Sequence, residues 1–535
     1  MTAASDPTPW WRGAVVYQIY VRSFFDSNGD GQGDLPGVIA KLGYIKSLGV
    51  DAIWLSPIHP SPNRDWGYDV ADYEAIQHDY GSMADFEALL IEAHGRGLKI
   101  IMDEVLAHTS DEHAWFIESR KGAAGSKADW YVWADPKLDG TAPNNWLSVF
   151  GGPAWSYQPD RRQHYHHKFL RQQPKLNWRN PDAREAALRV FDAWLARGVD
   201  GFRLDVATAY LHDPALTDNP AIPLTERTDH NWAQPSFMQR ALHDANLPEG
   251  LAVLDQIRRR VEAFDDRFVF GEYSEEPERA GGFSAPDEGL HAGYTFHLLG
   301  ARRLSPRFIR RHFEMLAAHP RHWPCISFCN HDVERTASRF GGPNPPPALA
   351  RLLLAVLLSL RGTILIYQGE ELGLPEADLR RDQLRDPVGD LYYPVNKGRD
   401  GCRTPIPWRA DAPNLGFSTG APWLPAAPEH AGLTVAAQDA DAASSLAFAR
   451  AFTALRAASP ALKWGDMVFE DAPEPLLVFR RVHADDTLLC LFNMSPAPAR
   501  WSGEAGRRLS PDWGVANADA GGVDLAPYGM WIGRV

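Results

Sequence analysis

The stretch DGFRLDVATAY, residues 200–210, sets Arg203 and Asp205 two positions apart inside an apolar run that includes Phe202, Leu204 and Val206. In a strand, positions i and i+2 share a face, so the arginine and the aspartate point the same way. A charge at the end of an apolar strand costs several kcal/mol to desolvate unless it is paired. The C-terminal rim of a parallel barrel is where such groups collect for catalysis.

Working outward, seven more short apolar runs of β type appear: VVYQIYVRSF (15–24), DAIWLSPIH (51–59), KIIMDEVLAH (99–108), RFVFGEYS (267–274), AGYTFHLLG (292–300), WPCISFCNHD (323–332) and GTILIYQGEE (362–371). Their interiors are nearly continuous in apolar residues, as expected of parallel strands buried on both faces. Amphipathic helical patterns lie between several of them: VIAKLGYIKSLG, DFEALLIEAHGRG, REAALRVFDAWLARG and LAVLDQIRRRVEAF. Eight β-then-α units predict an α/β chain with a (β/α)8 TIM barrel; a doubly wound sheet is the alternative on pattern alone.

The barrel is expected over residues 1–108 and 178–460. Residues 109–177, rich in Trp, Asn, Gly and Pro, are too long for a βα loop and predict an inserted domain B. A smaller insertion is expected near 375–420. Beyond the helical SSLAFARAFTALRAA, the segments MVFEDAPEPLLVFRRV, DTLLCLFNMS and PYGMWIGRV predict a C-terminal β domain over 461–535.

The polar residues gather at the ends of these runs: Asp103 and His108, Arg203 and Asp205, Glu272, then Asn330, His331 and Asp332. Several carboxylates without a His/Cys metal cluster point to acid/base and nucleophilic chemistry, and glycoside hydrolysis needs two such groups about an oxocarbenium-like transition state. Arg203 is expected to keep Asp205 ionised, as a nucleophile requires.

The 535-residue chain is 44% apolar and 11% aromatic, which excludes global disorder, and its net charge of −14 argues against nucleic-acid and anionic-membrane partners. Cys325, Cys329, Cys402 and Cys490 form no CxxC pair and read as free thiols. The opening MTAASDPTPWWRGAV lacks a signal-peptide pattern and no run of eighteen apolar residues occurs, so a cytoplasmic location is expected.

With DGFRLD, FGEY (271–273 with Phe270) and NHD (330–332) in this order, the chain resembles glycoside hydrolase family 13, the α-amylase family, and within it the α-glucosidase and oligo-1,6-glucosidase branch. The resemblance runs from WWRGAVVYQIYVRSF through KGRDGCRTPIPW. It implies Asp205 as nucleophile, Glu272 as general acid and base, and Asp332 as the third carboxylate. It implies His108 and His331 on the sugar at the −1 subsite, with Tyr68 stacking and Asp69 binding hydroxyls in WGYDV. Arg399 of KGRDG resembles the arginine that pairs with Asp69 to close the pocket for exo-action on short α-glucosides. Phe150 and Phe169 are candidates for the pocket entrance or for the core of domain B.

Val206, after the nucleophile, resembles α-1,6-acting members, although a methyl-scale difference in a pocket is worth only about 1–3 kcal/mol. Two positions depart from the family pattern: Ala107 stands where DVVxNH has Asn, and Lys175 where QPDLN has Asp. The loss of the Asn argues against the amylase-type calcium site. The same barrel also serves glucosyltransferases and isomerases that form sucrose- or trehalose-type products, and non-catalytic transporter-associated relatives that lack the carboxylates. A monomer or homodimer without organic cofactor is expected.

The stretch DSNGDGQGD (26–34) alternates Asp26, Asn28, Asp30, Gln32 and Asp34 with small residues. It is not an EF-hand, because position twelve is Gly37 and a strand precedes it. An all-oxygen set still suits a structural Ca²⁺ or Mg²⁺, and the resembling branch carries such a site in this loop.

Overall fold

The computed structural model describes residues 8–226, 234–285, 287–484, 486–510, 513–519 and 521–535. Eight parallel strands form the central sheet: β1 (Val15–Ile19), β2 (Ala52–Leu55), β3 (Lys99–Glu104), β4 (Gly201–Leu204), β5 (Phe268–Tyr273), β6 (Ala292–Thr295), β7 (Cys325–Ile326) and β8 (Thr363–Tyr367). Each pairs with its sequence neighbour, β8 returns to β1, and a bridge between Gly293 and Pro324 joins β6 to β7. The sheet is therefore a TIM barrel, and each strand matches one of the apolar runs.

The period of two decides what faces inward. Val16, Trp54, Ile101, Phe268, Phe270 and Leu365 pack together in the barrel interior, while Tyr17, Ile53, Ile100, Phe202, Val269 and Ile364 belong to the core shared with the helices. The helices start where capping chemistry allows. Ser82 and Asp85 make a reciprocal capping box at Met83–Gly95, and Asn180 followed by Pro181 opens Pro181–Ala196. The single helix expected after β1 is two short ones, Leu35–Ala40 and Leu42–Ser47, broken at Lys41 (φ −106°, ψ 6°).

Between β3 and β4, strands Trp133–Ala134, Trp155–Gln158 and Gln163–His166 form a small antiparallel sheet. His108 and Lys175 bridge the beginning and end of this excursion, so it leaves and re-enters the barrel rim at one place. After Ser445–Ala458 the chain forms two antiparallel sheets of five and three strands, the C-terminal β domain. Among the described residues no helix is long and apolar enough to cross a membrane.

Candidate active site

The inward positions stay apolar until the last residue or two of each strand and then turn polar. Strand pairing sets Asp103 opposite Arg203 and Glu272 opposite Tyr294. Arg203 is fully buried, and its guanidinium organises the rim. Nη1 donates to Asp103 Oδ1 at 2.7 Å and to Asp205 Oδ1 at 2.9 Å, and Nη2 lies 2.8 Å from Glu272 Oε1. The Tyr294 hydroxyl accepts from Arg203 and donates to Glu272 Oε1 at 3.0 Å. Asp103 is held further by Trp54 Nε1–H and the Tyr68 hydroxyl. Asp205 accepts only through Oδ1, which leaves Oδ2 without a hydrogen-bond donor among the described residues.

Val206 sits at φ 36°, ψ 53°, a left-handed conformation that a β-branched residue rarely adopts. The turn aims its N–H at Glu272 Oε2, 3.4 Å away. Strain at a residue between two catalytic candidates is the kind held in place by surrounding structure at functional sites.

The acidities follow from this crowding. Burial pushes the Glu272 carboxyl up; Arg203 pulls it back and Asp332 raises it again. Asp205 behaves alike: burial raises it, Arg203 opposes, and Glu272, Asp103 and Asp332 push it up. Arg203 contacts Asp205 as expected and opposes that rise, which burial and the neighbouring carboxylates drive. Asp332 goes the other way. Burial alone would raise it, but His331, Arg399 and Arg403 hold it well below the usual carboxylate range.

Arg399 ties three carboxylates together beside the rim. It donates to Asp332 Oδ1 at 3.1 Å, to Asp65 Oδ1 at 2.7 Å and to Asp386 Oδ1 at 2.8 Å. This corrects the expected pairing with Asp69. The Asp69 carboxylate is buried and accepts from Ser61 Oγ and from the backbone N–H groups of Arg64 and Asp65, so it shapes the turn that presents Asp65. Tyr68 lies between them, its ring stacked on His331 at 5.1 Å with 3° between the planes. Arg403, Asp386 and Gln173 are further members that sequence reasoning missed. Arg403 Nη2 reaches Asp332 Oδ1 at 3.1 Å, and Gln173 donates to Asp65 Oδ2 at 3.0 Å.

Gln18 Nε2–H donates to His331 Nδ1 at 2.8 Å, which places the ring proton on Nε2, 3.2 Å from Asp332 Oδ2. His108 Nε2 lies 2.9 Å from the Tyr68 carbonyl, and burial lowers its pKa to about 4. Phe169 packs on His108 at 5.3 Å and the Phe150 ring lies 5.4 Å from the Arg399 guanidinium, so both domain B phenylalanines contact residues of the candidate site.

The loop at 26–34 is built differently from an ion cage. Asp26 accepts from the N–H groups of Asn28, Gly29 and Gly31 and from Ser418 Oγ. Asp34 accepts from Ser27 and caps the following helix through Gly37 N–H, while Asp30 accepts from Gln32 N–H. Among the described residues no three His, Cys, Asp or Glu side chains come together as ligands of one ion. Gln32 Oε1 is a buried oxygen without a donor.

Residues 18–465 match the family described as "Alpha amylase, catalytic domain". The chain belongs to the α-amylase family. Among curated relatives of this family, a probable alpha-glucosidase of Rhizobium meliloti (strain 1021) is 48% identical over 500 residues, covering 92% of this chain and 90% of the relative. An oligo-1,6-glucosidase of Heyndrickxia coagulans is 35% identical, covering 91% and 92%. Among solved structures, an alpha-glucosyl transfer enzyme, XgtA, superposes with a TM-score of 0.95 at 47% identity over 99% of this chain and 100% of that one. The trehalulose synthase MutB from Pseudomonas mesoacidophila MX-45 gives a TM-score of 0.88 at 32% identity, over 99% and 100%.

The two departures from the α-amylase pattern now have a physical account. Ala107 is buried and apolar, and Lys175 is buried with its Nζ donating to the carbonyls of Ala209, Leu211 and Asp244. Burial lowers the pKa of this amino group to about 7, and its N–H donors, surrounded by carbonyl oxygens, hold the end of domain B against the loops that follow β4. Lys175→Met keeps the volume and leaves these carbonyls without their donor, at a cost of about 1–3 kcal/mol. A lower Tm is expected by calorimetry; a wild-type Tm would show that the amino group is not a clamp.

Proposed function

We propose that this protein is a retaining, exo-acting α-glucosidase that cleaves short α-glucosides through a covalent glucosyl-enzyme. The observation that carries the reading is the single guanidinium, Arg203, that holds Asp205 and Glu272 side by side. One fork bridging two carboxyls is compatible with the separation of about 5–5.5 Å that retaining enzymes use.

In the first step Asp205 Oδ2 attacks the anomeric carbon. The glycosidic bond breaks and Glu272 gives its proton to the departing oxygen. In the second, a water loses a proton to Glu272 as its oxygen displaces Asp205, restoring both groups and the α configuration. Burial raises the Glu272 carboxyl, which suits it to carry the proton needed for the first step. Asp332, held ionised by Arg399 and Arg403, is suited to bind sugar hydroxyls, with His331 and His108 beside it. Asp65, rather than Asp69, is the partner through which Arg399 closes the pocket at the non-reducing end.

Glucosyl transfer is the second reading, favoured by the 47% identity to an alpha-glucosyl transfer enzyme; a sugar hydroxyl then replaces water in the second step. A cytoplasmic location and a monomeric or homodimeric state belong to the same proposal. NMR of a maltose, isomaltose and sucrose panel tests it. The α-anomer of glucose is expected first from the α-glucosides. Initial β-glucose would overturn the retaining mechanism, and oligosaccharide products at high acceptor concentration would favour transfer. Run on Val206→Thr, the same panel should shift the isomaltose-to-maltose ratio of kcat/KM; an unchanged ratio removes Val206 from linkage choice.

A hard cation at loop 26–34 is a proposal of the same kind. Its donors are all oxygens, and Gln32 Oε1 is available, but binding requires the carboxylates to exchange some of their backbone donors. No catalytic step involves it. Chelation is expected to lower Tm and leave kcat unchanged; identical melting with EDTA and with added Ca²⁺ or Mg²⁺ would mean the loop holds itself by its own hydrogen bonds.

A further inference from the structure

A cavity of about 530 Å³ opens between the segments 382–385 and 412–428 of the insertion after β8, and its lining includes neither the candidate catalytic carboxylates nor Asp65 and Arg399. Its lining includes Asp382, Gln383, Arg385, Asn414, Trp423 and Pro425. We propose that it is a second saccharide-binding site, distinct from the catalytic pocket.

Three observations carry this. The first is an aromatic wall. Trp423 is half-buried, with its indole N–H turned inward to Ser23 Oγ at 2.9 Å and its ring packed on Trp66 at 4.9 Å and Tyr20 at 5.9 Å. A rigidly held indole beside prolines offers flat apolar surface to the C–H face of a pyranose. The second is the set of polar groups around it. Asp382 is held on both oxygens by Arg380 and Gln383 Oε1 accepts from the Arg380 N–H, so the Gln383 amide nitrogen and the Arg385 guanidinium are the donors turned to adjacent hydroxyls, with the outer lone pairs of Asp382 as acceptors. Arg385 is exposed and its guanidinium has no protein partner among the described residues. Its backbone is fixed at both ends, because its carbonyl accepts from Trp66 Nε1–H at 2.9 Å and its N–H donates to Asp400 Oδ2 at 2.5 Å.

The third is the charge balance. Asp382 already pairs with Arg380, at 2.8 Å, so Arg385 adds only one net positive charge to an otherwise mixed lining. A neutral polyhydroxy ligand fits that set better than a multiply charged anion does. The site also lies beside the Arg399 cluster. Asp386, next to Arg385, is the residue that grips Arg399, so a sugar ordering Arg385 stiffens the segment that holds it. Nothing in this inference depends on which linkage the catalytic pocket cleaves.

The test uses the full-length Asp205→Asn protein, in which turnover is removed, titrated calorimetrically with maltotriose. Two binding events per chain are expected, the weaker with a Kd of about 1–10 mM, as suits an open site with few ordered contacts. In Asp205→Asn combined with Asp382→Ala and Arg385→Ala, the weaker event should weaken at least tenfold while the tighter one is retained. A single event in both proteins would overturn the second site, and so would a weak event that the added substitutions leave intact. Inorganic phosphate competing for the weaker event would instead assign the cavity to anions. Glucose appearing in the titration cell would signal failure of the nucleophile assignment, a separate outcome from loss of the second site.

Discussion

Replacing Asp205 by Asn is expected to lower kcat/KM by about 10⁴-fold or more while leaving Tm unchanged or higher. The loss follows from the chemistry: an amide oxygen cannot form the glucosyl ester, and no neighbouring carboxylate is placed to substitute. Asp103 is enclosed by Arg203, Trp54 and Tyr68, and Asp332 by Arg399 and Arg403. The stability side follows from electrostatics. Asp205 is buried among Glu272, Asp103 and Asp332, and burial with these like charges outweighs Arg203 in raising its pKa. A neutral amide of the same shape relieves that repulsion and can still accept from Arg203 Nη1–H. Function and stability thus conflict at this position, as they commonly do in catalytic sites. Kinetics on an aryl α-glucoside together with calorimetry would check both halves. Turnover near that of the wild type refutes the nucleophile assignment. A Tm several degrees lower would show instead that the ion pair with Arg203 is net stabilising.

How much of this was legible in the residues depended on whether a repeating geometry governed them. The barrel strands were, because continuous burial and a period of two leave few other readings for runs such as KIIMDE or TILIY. The same period placed Arg203 and Asp205 on one face, and the ends of β3 and β5 gave Asp103 and Glu272. The rim loops have no such period. Asp65 and Asp69 flank Tyr68 within five residues, and nothing in DWGYDV says which carboxylate turns toward Arg399 and which toward its own backbone. Arg403 lies four residues after Arg399, yet its convergence on Asp332 depends on a turn, Asp400–Arg403, that pattern alone does not set. In the loop at 26–34 the oxygens suggest a cation, but the intervening glycines also free N–H groups to meet them, and in the fold these hydrogen bonds form. Lys175 was visible as a departure, while its carbonyl partners, more than thirty residues away, were not.

Arg399→Ala is expected to combine the largest loss of stability with a loss of kcat/KM of about 10²–10³-fold. The side chain joins three carboxylates from separate segments, Asp65 after β2, Asp332 after β7 and Asp386 after β8, and all three are largely buried. Removing one partner of a buried ion pair costs about 3–5 kcal/mol, because the charges left behind keep their desolvation penalty. Arg403 still contacts Asp332, so that carboxylate stays partly compensated, whereas among the described residues Asp65 keeps only Gln173 as a donating side chain. The pH response has a definite sign. In the native protein the pKa of Asp332 is depressed, so its contribution to stability is present above the unfolded carboxylate value of about 3.9 and is lost as pH falls through the lower folded value. Without Arg399 that folded value rises. Acid unfolding should begin at higher pH. Arg399→Lys restores one positive charge without the fork, so it should recover part of the stability but little of the alignment. Removing Arg399 should also let longer α-glucans extend past the non-reducing end, raising activity on them relative to maltose. An Arg399→Ala protein with unshifted acid unfolding and an unchanged preference for short substrates would show that Arg399 neither holds Asp332 ionised nor confines the substrate.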